Sequence, residues 1–393
     1  MMRNFLVGML LIISLVCTGC VEHRDISDLN MVLGAMIDYD PQQGKYIVYV
    51  QVAAPGAFNK DGGTRGKTSF LLFQGEGKTF FQAIRDAAKD SGKRLFWAHC
   101  YVYVITERLA QHGFFSVLDF LCRDYEIRET AYLMVTDEKP DQFVTLESQA
   151  ENVPLINLKV LLDLGLKRHG TTFPMKLSDV FRDYLADDSN YVIPLVSIDK
   201  PHLKTQSPAV SDQLHATRAV VVKKDKMIDV LSGEETRGYL WVKRQKTHGI
   251  VVVKVEDELI SLEEIGHEAK IIPQVNQGEI SFLIELQSEL NYGEIGQPTN
   301  IQEEKFIQAT EQAASHVLAQ EVEKSIQKSQ EMKADFFSLG RELQLAYPET
   351  WQAVQKEWSE KVFPDVAIKV SVKAKIERTG LLTFNHLGGS ESE

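Results

Sequence analysis

Residues 300–334 contain neither glycine nor proline, and this uninterrupted run most constrains what the chain can fold into. A helix of that length is far longer than the average globular helix and needs a broad surface to cover. Glu, Gln and Lys dominate one side of it, and apolar residues recur near the other, at Phe306, Ile307, Ala313, Ala314, Val317, Leu318, Val322 and Ile326. Because alanine dominates the stripe and true heptads fail, a helix packed on its own domain's sheet is favoured over a partner-binding coiled coil.

Strand patterns surround this helix. Residues 366–376 alternate between apolar and Lys- or Ser-rich positions, which is typical of a strand with one buried face. Residues 31–38 and 45–53 flank a turn-rich segment and predict a hairpin. Between residues 68 and 136, helical and strand patterns alternate. We therefore predict an α+β protein, in which largely antiparallel or mixed sheets pack with helices and the long helix belongs to the C-terminal half.

The N-terminal 20 residues have the form of a secretion signal. Arg3 precedes a twelve-residue apolar run at 5–16, and small or polar residues then lead to Cys20. Twelve helical residues cover roughly 18 Å, well short of the ~30 Å hydrocarbon core that a spanning helix crosses. We expect cleavage before Cys20 and no permanent membrane span.

Cys17-Thr18-Gly19-Cys20 resembles a bacterial lipobox, in which a cysteine receives diacylglycerol, although Cys17 departs from the usual leucine. Two acyl chains anchor a protein stably, because each buried methylene contributes ~0.8 kcal/mol and one chain alone is marginal. An ordinary thiol at Cys20 is the alternative. We predict that Cys20 is lipidated and holds the chain on the outer face of a membrane.

Length and composition allow two domains, with three as the alternative. The chain has 393 residues, 44% of them hydrophobic and 25% charged, which describes a folded protein with an ample core. Two prolines and few apolar residues predict a linker at 199–208. The predicted order is a signal peptide at 1–19, an N-terminal domain at 20–198 with room for two subdomains, a C-terminal domain at 209–380 and a disordered tail at 381–393.

Charge and motifs disfavour several functional classes. The net charge of −12 disfavours nucleic-acid binding and electrostatic membrane docking, because phosphate groups repel an acidic surface. Residues 62–68 resemble a phosphate loop, but Asp61 stands at the first required glycine, so we interpret the segment as a turn.

The histidines and cysteines do not indicate a catalytic or metal site. The ten histidines have no metal-ligand spacing. The apolar neighbours of Cys100 and Cys122 predict that both are buried free thiols. We expect no cofactor and no enzyme, with a lipid-anchored hydrolase as the least favoured class.

Four segments together resemble the C-subunit, or Ger(x)C, family of bacterial spore nutrient germinant receptors. They are the run at 20–29, where Val21 replaces the family's usual Trp, the helix-strand-helix segment at 77–136, the E-E-T-R-G segment at 234–238, and the closing region that begins at 335–340. In the last of these, Asp335-Phe336-Phe337-Ser338-Leu339-Gly340 lacks the first glycine of the family's motif, which predicts an altered loop conformation.

The resemblance implies a non-catalytic lipoprotein on the outer leaflet of the spore inner membrane, which works with an A subunit and a transporter-like B subunit in nutrient-triggered germination. The alternative is a solute-binding lipoprotein that delivers a nutrient to a transporter. Such a protein has two similar doubly wound lobes around a deep cleft, and the uneven strand pattern disfavours it.

Nine residues are candidates for structural or partner-contact roles: Arg94, Trp97, Asp119, Arg123, Arg128, Glu234, Arg237, Trp351 and Trp358. We expect each of the four arginines to hold a buried carboxylate such as Asp119 or Glu234, with interface contact as the alternative. Trp351 and Trp358 are seven residues apart on a predicted helix, and core positions are favoured over exposed interface anchors.

Overall fold

The structure is a computed structural model. The residues that it describes are 26–54, 70–146, 153–168, 170–186, 188–199, 213–243, 248–295 and 303–378. The predicted anchor at Cys20, the turn at 62–68, most of the predicted linker and the predicted tail lie outside these residues. Two sheets with helices packed on them confirm the predicted α+β class.

The first sheet is mixed. Its strands are β1 (Leu29–Asp40), β2 (Lys45–Ala53), β3 (Phe70–Gly77), β4 (Arg94–Phe96), β5 (Val102–Thr106), β6 (Tyr132–Thr136), β7 (Asn190–Asp199), β8 (Gln213–Lys223) and β9 (Lys226–Leu231). The order is β3-β2-β1-β5-β6-β7-β8-β9, with β4 paired to β1. The central strands β1, β5, β6 and β7 are parallel, and the flanking pairs are antiparallel.

Helices cover both faces of this sheet. They are α1 (Phe80–Ala87), α2 (Glu107–His112), α3 (Phe115–Arg123), α4 (Pro140–Val144), α5 (Pro154–Arg168) and α6 (Leu177–Tyr184). Successive side chains of a strand point to opposite faces, so Ala35 and Ile37 join one core with α1, α2, α3 and α6, while Met36 joins a second core with α4 and α5.

The first sheet continues beyond the predicted linker. β8 pairs with β7, and β9 with β8, although both strands follow residues 199–208. The larger core also runs without a break from this sheet, through Tyr239 and Trp241, into the second sheet. Strands from both sides of the predicted linker therefore lie in one sheet, and one core extends into both sheets. The predicted domain limits stay a prediction.

The second sheet comprises β10 (Ile250–Val255), β11 (Glu258–Asn276), β12 (Glu279–Ile295) and β13 (Ala367–Arg378), in that order, and only the β12–β13 pair is parallel. Its helices are α7 (Gly233–Lys243), α8 (Glu304–Glu331), α9 (Leu339–Ala346) and α10 (Pro348–Val354). The long helix α8 packs on β10, β13 and α7, and buries Ala314, Leu318 and Val322. This confirms the amphipathic helix packed on its own sheet.

Candidate functional sites

Arg94 holds a buried carboxylate, but not one that the sequence indicated. It begins β4 beside Leu29 of β1, and its guanidinium donates to Glu126, whose side chain is almost fully buried. The same guanidinium reaches the hydroxyl of Tyr125 at 3.5 Å. The pair fixes the loop after α3 against the start of the first sheet. Trp97, three residues on, is buried and stacks on Tyr103.

Asp119 is not a buried carboxylate, which corrects the sequence-based expectation. Asp119 and Arg123 are one turn apart on the outer side of α3 and pair with each other at 2.8 Å, and Arg123 is 77% exposed. Hydrogen bonding to Arg123 lowers the pKa of Asp119. Arg128 is also exposed and makes no ion pair with any described residue. Asp119, Arg123 and Arg128 therefore lie on the surface.

Arg237 joins α7 to the long helix α8. Its guanidinium donates to Glu321, and the indole N–H of Trp241 donates to the same carboxylate at 2.8 Å. Gly238 permits this approach, because a Cβ there would lie 2.0 Å from the Glu321 carbonyl oxygen. Glu234, expected to be the buried partner, is instead exposed and pairs with Lys324 at 2.5 Å. The E-E-T-R-G segment thus attaches two helices to each other.

Asp335 organises a buried cluster before α9. Its carboxylate accepts hydrogen bonds from the backbone N–H groups of Leu339 and Gly340, at 2.9 and 2.7 Å, and from the indole of Trp358 at 3.0 Å. Burial raises the pKa of Asp335, and these three donors oppose that shift. Trp351 packs edge-on against Trp358 at 5.6 Å, and both are buried, the position that the sequence favoured.

Ser338 occupies the position of the missing glycine in this motif. Its φ of 60° lies in the left-handed region, which glycine adopts without strain and serine does not. Lys243 of α7 donates to the Ser338 hydroxyl and to the Phe337 carbonyl, at 3.3 and 3.1 Å. The contacts of Lys243 therefore hold the loop in a backbone conformation that Ser338 disfavours.

Cys100 and Cys122 are free thiols, as predicted, but only Cys100 is buried as expected. Cys100 is buried, and burial raises its pKa to about 12. Cys122 is only half-buried, and the same cause raises its pKa to about 11. Both thiols are therefore protonated near neutral pH, a state in which cysteine is a poor nucleophile.

The described part of the chain offers neither a cluster of metal ligands nor a membrane-spanning helix. Within it, no group of three or more His, Cys, Asp or Glu side chains is arranged to hold a metal ion. In the same residues, no helix combines the length and apolar character needed to cross a bilayer.

Comparison with known proteins agrees with the motif resemblance. The family of spore germination protein N-terminal domains matches residues 22–198, and the spore germination B3/GerAC-like C-terminal family matches residues 217–380. The chain belongs to the Ger(x)C family. Both matches together span most of this Ger(x)C chain, and they begin two residues after Cys20.

Relatives of this Ger(x)C chain align over nearly their whole length. Spore germination protein KC of Bacillus subtilis (strain 168) is 26% identical, with 97% of each chain covered. Spore germination protein B3 of the same organism is 22% identical, with 92% of this chain and 94% of that one covered. The crystal structure of the GerBC protein superposes with a TM-score of 0.54 at 19% identity, over 87% of this chain and 96% of that one, which shows a shared fold.

Proposed function

We propose that this chain is the lipid-anchored C subunit of a nutrient germinant receptor, which is required for spore germination and acts by assembly with membrane-spanning A and B subunits and not by catalysis. The observation that carries the proposal is the family match over residues 22–198 and 217–380. Full-length relatives named as spore germination proteins support it.

The predicted lipid gives the protein an orientation on the outer leaflet of the spore inner membrane. Leu29, the first residue of β1, follows Cys20 by nine residues, so the two are at most about 32 Å apart. Arg94 lies beside Leu29 in the sheet register. An anchor at Cys20 would therefore keep the start of β1 and the loop that Arg94 fixes near the membrane, where receptor subunits lie.

The exposed residues of that loop suit partner contact. Arg123 is the last residue of α3, Tyr125 and Arg128 follow the helix, and Tyr125 is 83% exposed. Arginine and tyrosine are enriched among the residues that dominate protein interfaces. We assign Arg123, Tyr125 and Arg128 as the partner surface, with Asp119 orienting Arg123, and assign Trp97, Trp351, Trp358 and Arg237 to the core and its helix contacts.

The alternative, a solute-binding lipoprotein that serves a transporter, receives less support. It requires two similar doubly wound lobes. Here one sheet is mixed with nine strands, and the other has four mainly antiparallel strands, so the halves do not resemble each other.

The proposal is tested with spores that carry Cys20→Ala, beside a deletion strain and the matched control Cys122→Ala. We expect Cys20→Ala to lose palmitate labelling, leave the membrane fraction and reduce the response to one nutrient, while a receptor-independent trigger still works. Unchanged germination with every nutrient, in a strain that lacks related receptors, would contradict the proposal.

A further inference from the structure

The second sheet ends in a strand whose outer edge is free. β10 is the first strand in the sheet order, and in the described part of the chain only β11 pairs with it. Val251, Val253 and Val255 are buried on the face that α8 covers. The alternate residues are exposed, Ile250 to 60% and Val252 to 51%. β10 thus presents apolar side chains beside an unpaired edge, an arrangement that favours the addition of a further strand.

The pairing of β10 with β11 decides which backbone groups face the free edge. Hydrogen-bonded pairs alternate with unbonded pairs along an antiparallel ladder. The carbonyl oxygen of Gly249, the residue before β10, accepts from the backbone N–H of Glu264 at 2.9 Å, so the odd-numbered residues of β10 are the ones bonded to β11. The backbone N–H and C=O groups of Ile250, Val252 and Lys254 therefore point away from β11, to the free edge.

The other sheet edges are less suited to pairing. On the opposite edge of the second sheet, β13 carries the exposed residues Lys369, Lys373 and Lys375, and lysine on an edge strand disfavours the addition of a partner. On β10 only Lys254 is charged. In the first sheet, α1 packs against the edge strand β3, and α2 packs against the edge strand β9. β10 is therefore the edge that most favours a further strand.

The charges in the sequence around β10 favour an antiparallel partner. Arg244 and Lys246 precede the strand, and Glu256, Asp257 and Glu258 follow it. An antiparallel partner of the same sequence brings the acidic end of one strand beside the basic end of the other. A parallel partner would instead bring like charges together. β10 is thus complementary in charge to a second copy of itself.

We propose that β10 pairs antiparallel with β10 of a second copy of this chain, about a two-fold axis at Val252. Among the antiparallel registers, this one pairs every outward-facing residue of the strand, because Val252 lies opposite Val252 of the second copy and Ile250 lies opposite Lys254. On the exposed face the two Val252 side chains contact each other, and the methylene groups of Lys254 cover Ile250. The second sheets of both copies then form one continuous sheet. The proposal is independent of the receptor role, because it concerns the association of the purified chain.

The expected association is weak. A strand of six residues is a small contact beside the roughly 1,600 Å² of a standard interface, so we expect a dissociation constant on the order of 10 µM. Copies that the proposed lipid holds on one membrane would meet at a higher effective concentration.

The first test measures the mass of the full chain in detergent micelles by analytical ultracentrifugation, between about 1 and 100 µM. We expect a dimer at the upper end of this range. Val252→Lys places two like charges opposite each other at the two-fold axis, and Val252→Glu does the same with the opposite sign, so each should weaken association at least about tenfold. An equimolar mixture of the two variants should associate again, because lysine and glutamate then lie opposite each other. Val252 is half-exposed, so melting curves should show that both variants fold.

A disulfide tests the register. In the proposed pair the Cα atoms of the two Val252 residues are ~5.5 Å apart, a separation that a disulfide spans. In a chain that also carries Cys122→Ala, mild oxidation should therefore link two copies of the Val252→Cys variant. The control Ser371→Cys, on an exposed position of β13, should stay unlinked in the same micelles. A monomer at about 100 µM, a mixture that associates no better than either charged variant alone, or equal linking of the two cysteine variants would overturn the proposal.

Discussion

The outer side of α3 and the contact between α7 and α8 both carry an arginine–carboxylate pair, but the pairs differ in their surroundings. Arg123 and Asp119 are neighbours in sequence, and solvent surrounds the arginine. Arg237 and Glu321 are 84 residues apart, the carboxylate is 11% exposed, and Trp241 donates to it as well. Exposed pairs contribute little to stability, whereas an unpaired buried charge is costly. The same residue types thus suit partner contact in one region and helix packing in the other.

The largest expected effect comes from the helix contact itself. Gly238→Ala places a Cβ 2.0 Å from the Glu321 carbonyl oxygen, which is backbone and cannot rotate away. We expect a loss of about 3 kcal/mol in the free energy of unfolding, measured by urea denaturation. The control is Gly233→Ala on the same helix, where the nearest atom is 3.7 Å from the added Cβ. Equal stability of the two variants would show that α7 does not approach α8 as described.

The next-largest expected effect on stability distinguishes Arg237 from Arg123. Arg237→Met leaves the carboxylate of Glu321 with only the Trp241 N–H, and should destabilise the chain by about 2 kcal/mol. Arg123→Met removes an exposed pair and should leave the urea midpoint unchanged. If Arg237→Met also left the urea midpoint unchanged, the assignment of the E-E-T-R-G segment to helix packing would be wrong.

A smaller effect of opposite sign is expected at Asp188, two residues before β7, where burial raises the pKa of the carboxyl to about 6. A carboxyl whose pKa is raised on folding binds more protons in the folded state than in the unfolded state. The stability that it contributes is therefore present below its unfolded pKa near 4. That stability is lost as the pH rises through its folded pKa of about 6. Asp188→Asn should therefore raise the unfolding free energy by about 1–2 kcal/mol at pH 7.5. At pH 4 the variant and the parent should differ little. A destabilised variant at pH 7.5 would mean that the hydrogen bonds of the ionised carboxylate outweigh the cost of its burial.

Much of the fold could be predicted because its signals are local. Ser232 and Glu235 fit a capping box, and in the structure the backbone N–H of each donates a hydrogen bond to the side-chain oxygen of the other, at 2.7 and 3.3 Å. The alternation of β13 and the apolar stripe of α8 are equally local. By contrast, β11 escaped prediction because irregular pairing near Ser261 and between Glu264 and Gly266 interrupts its alternation.

The candidate sites were less predictable because their partners are distant in sequence. The motifs identify Arg94 and Arg237, but Glu126 and Glu321 become their partners only through packing. The pairing of β7 with β8 across residues 199–208 is equally non-local. A cleft of about 350 Å³ likewise combines the start of β7 with α9 and α10, and no spacing in the sequence links these segments.

The smallest expected effect on stability is the most informative about function. Arg123→Glu with Arg128→Glu changes two exposed side chains of the proposed partner surface, so the melting curve should not move. Spores with this double variant should nevertheless respond poorly to their nutrient, because charge reversal at an interface disfavours association. The control is Lys369→Glu with Lys373→Glu, which makes the same charge change on exposed positions of β13. If the β13 variant impaired germination and the α3 variant did not, the partner surface would lie on the second sheet, and the exposed pair on α3 would contribute to neither stability nor assembly.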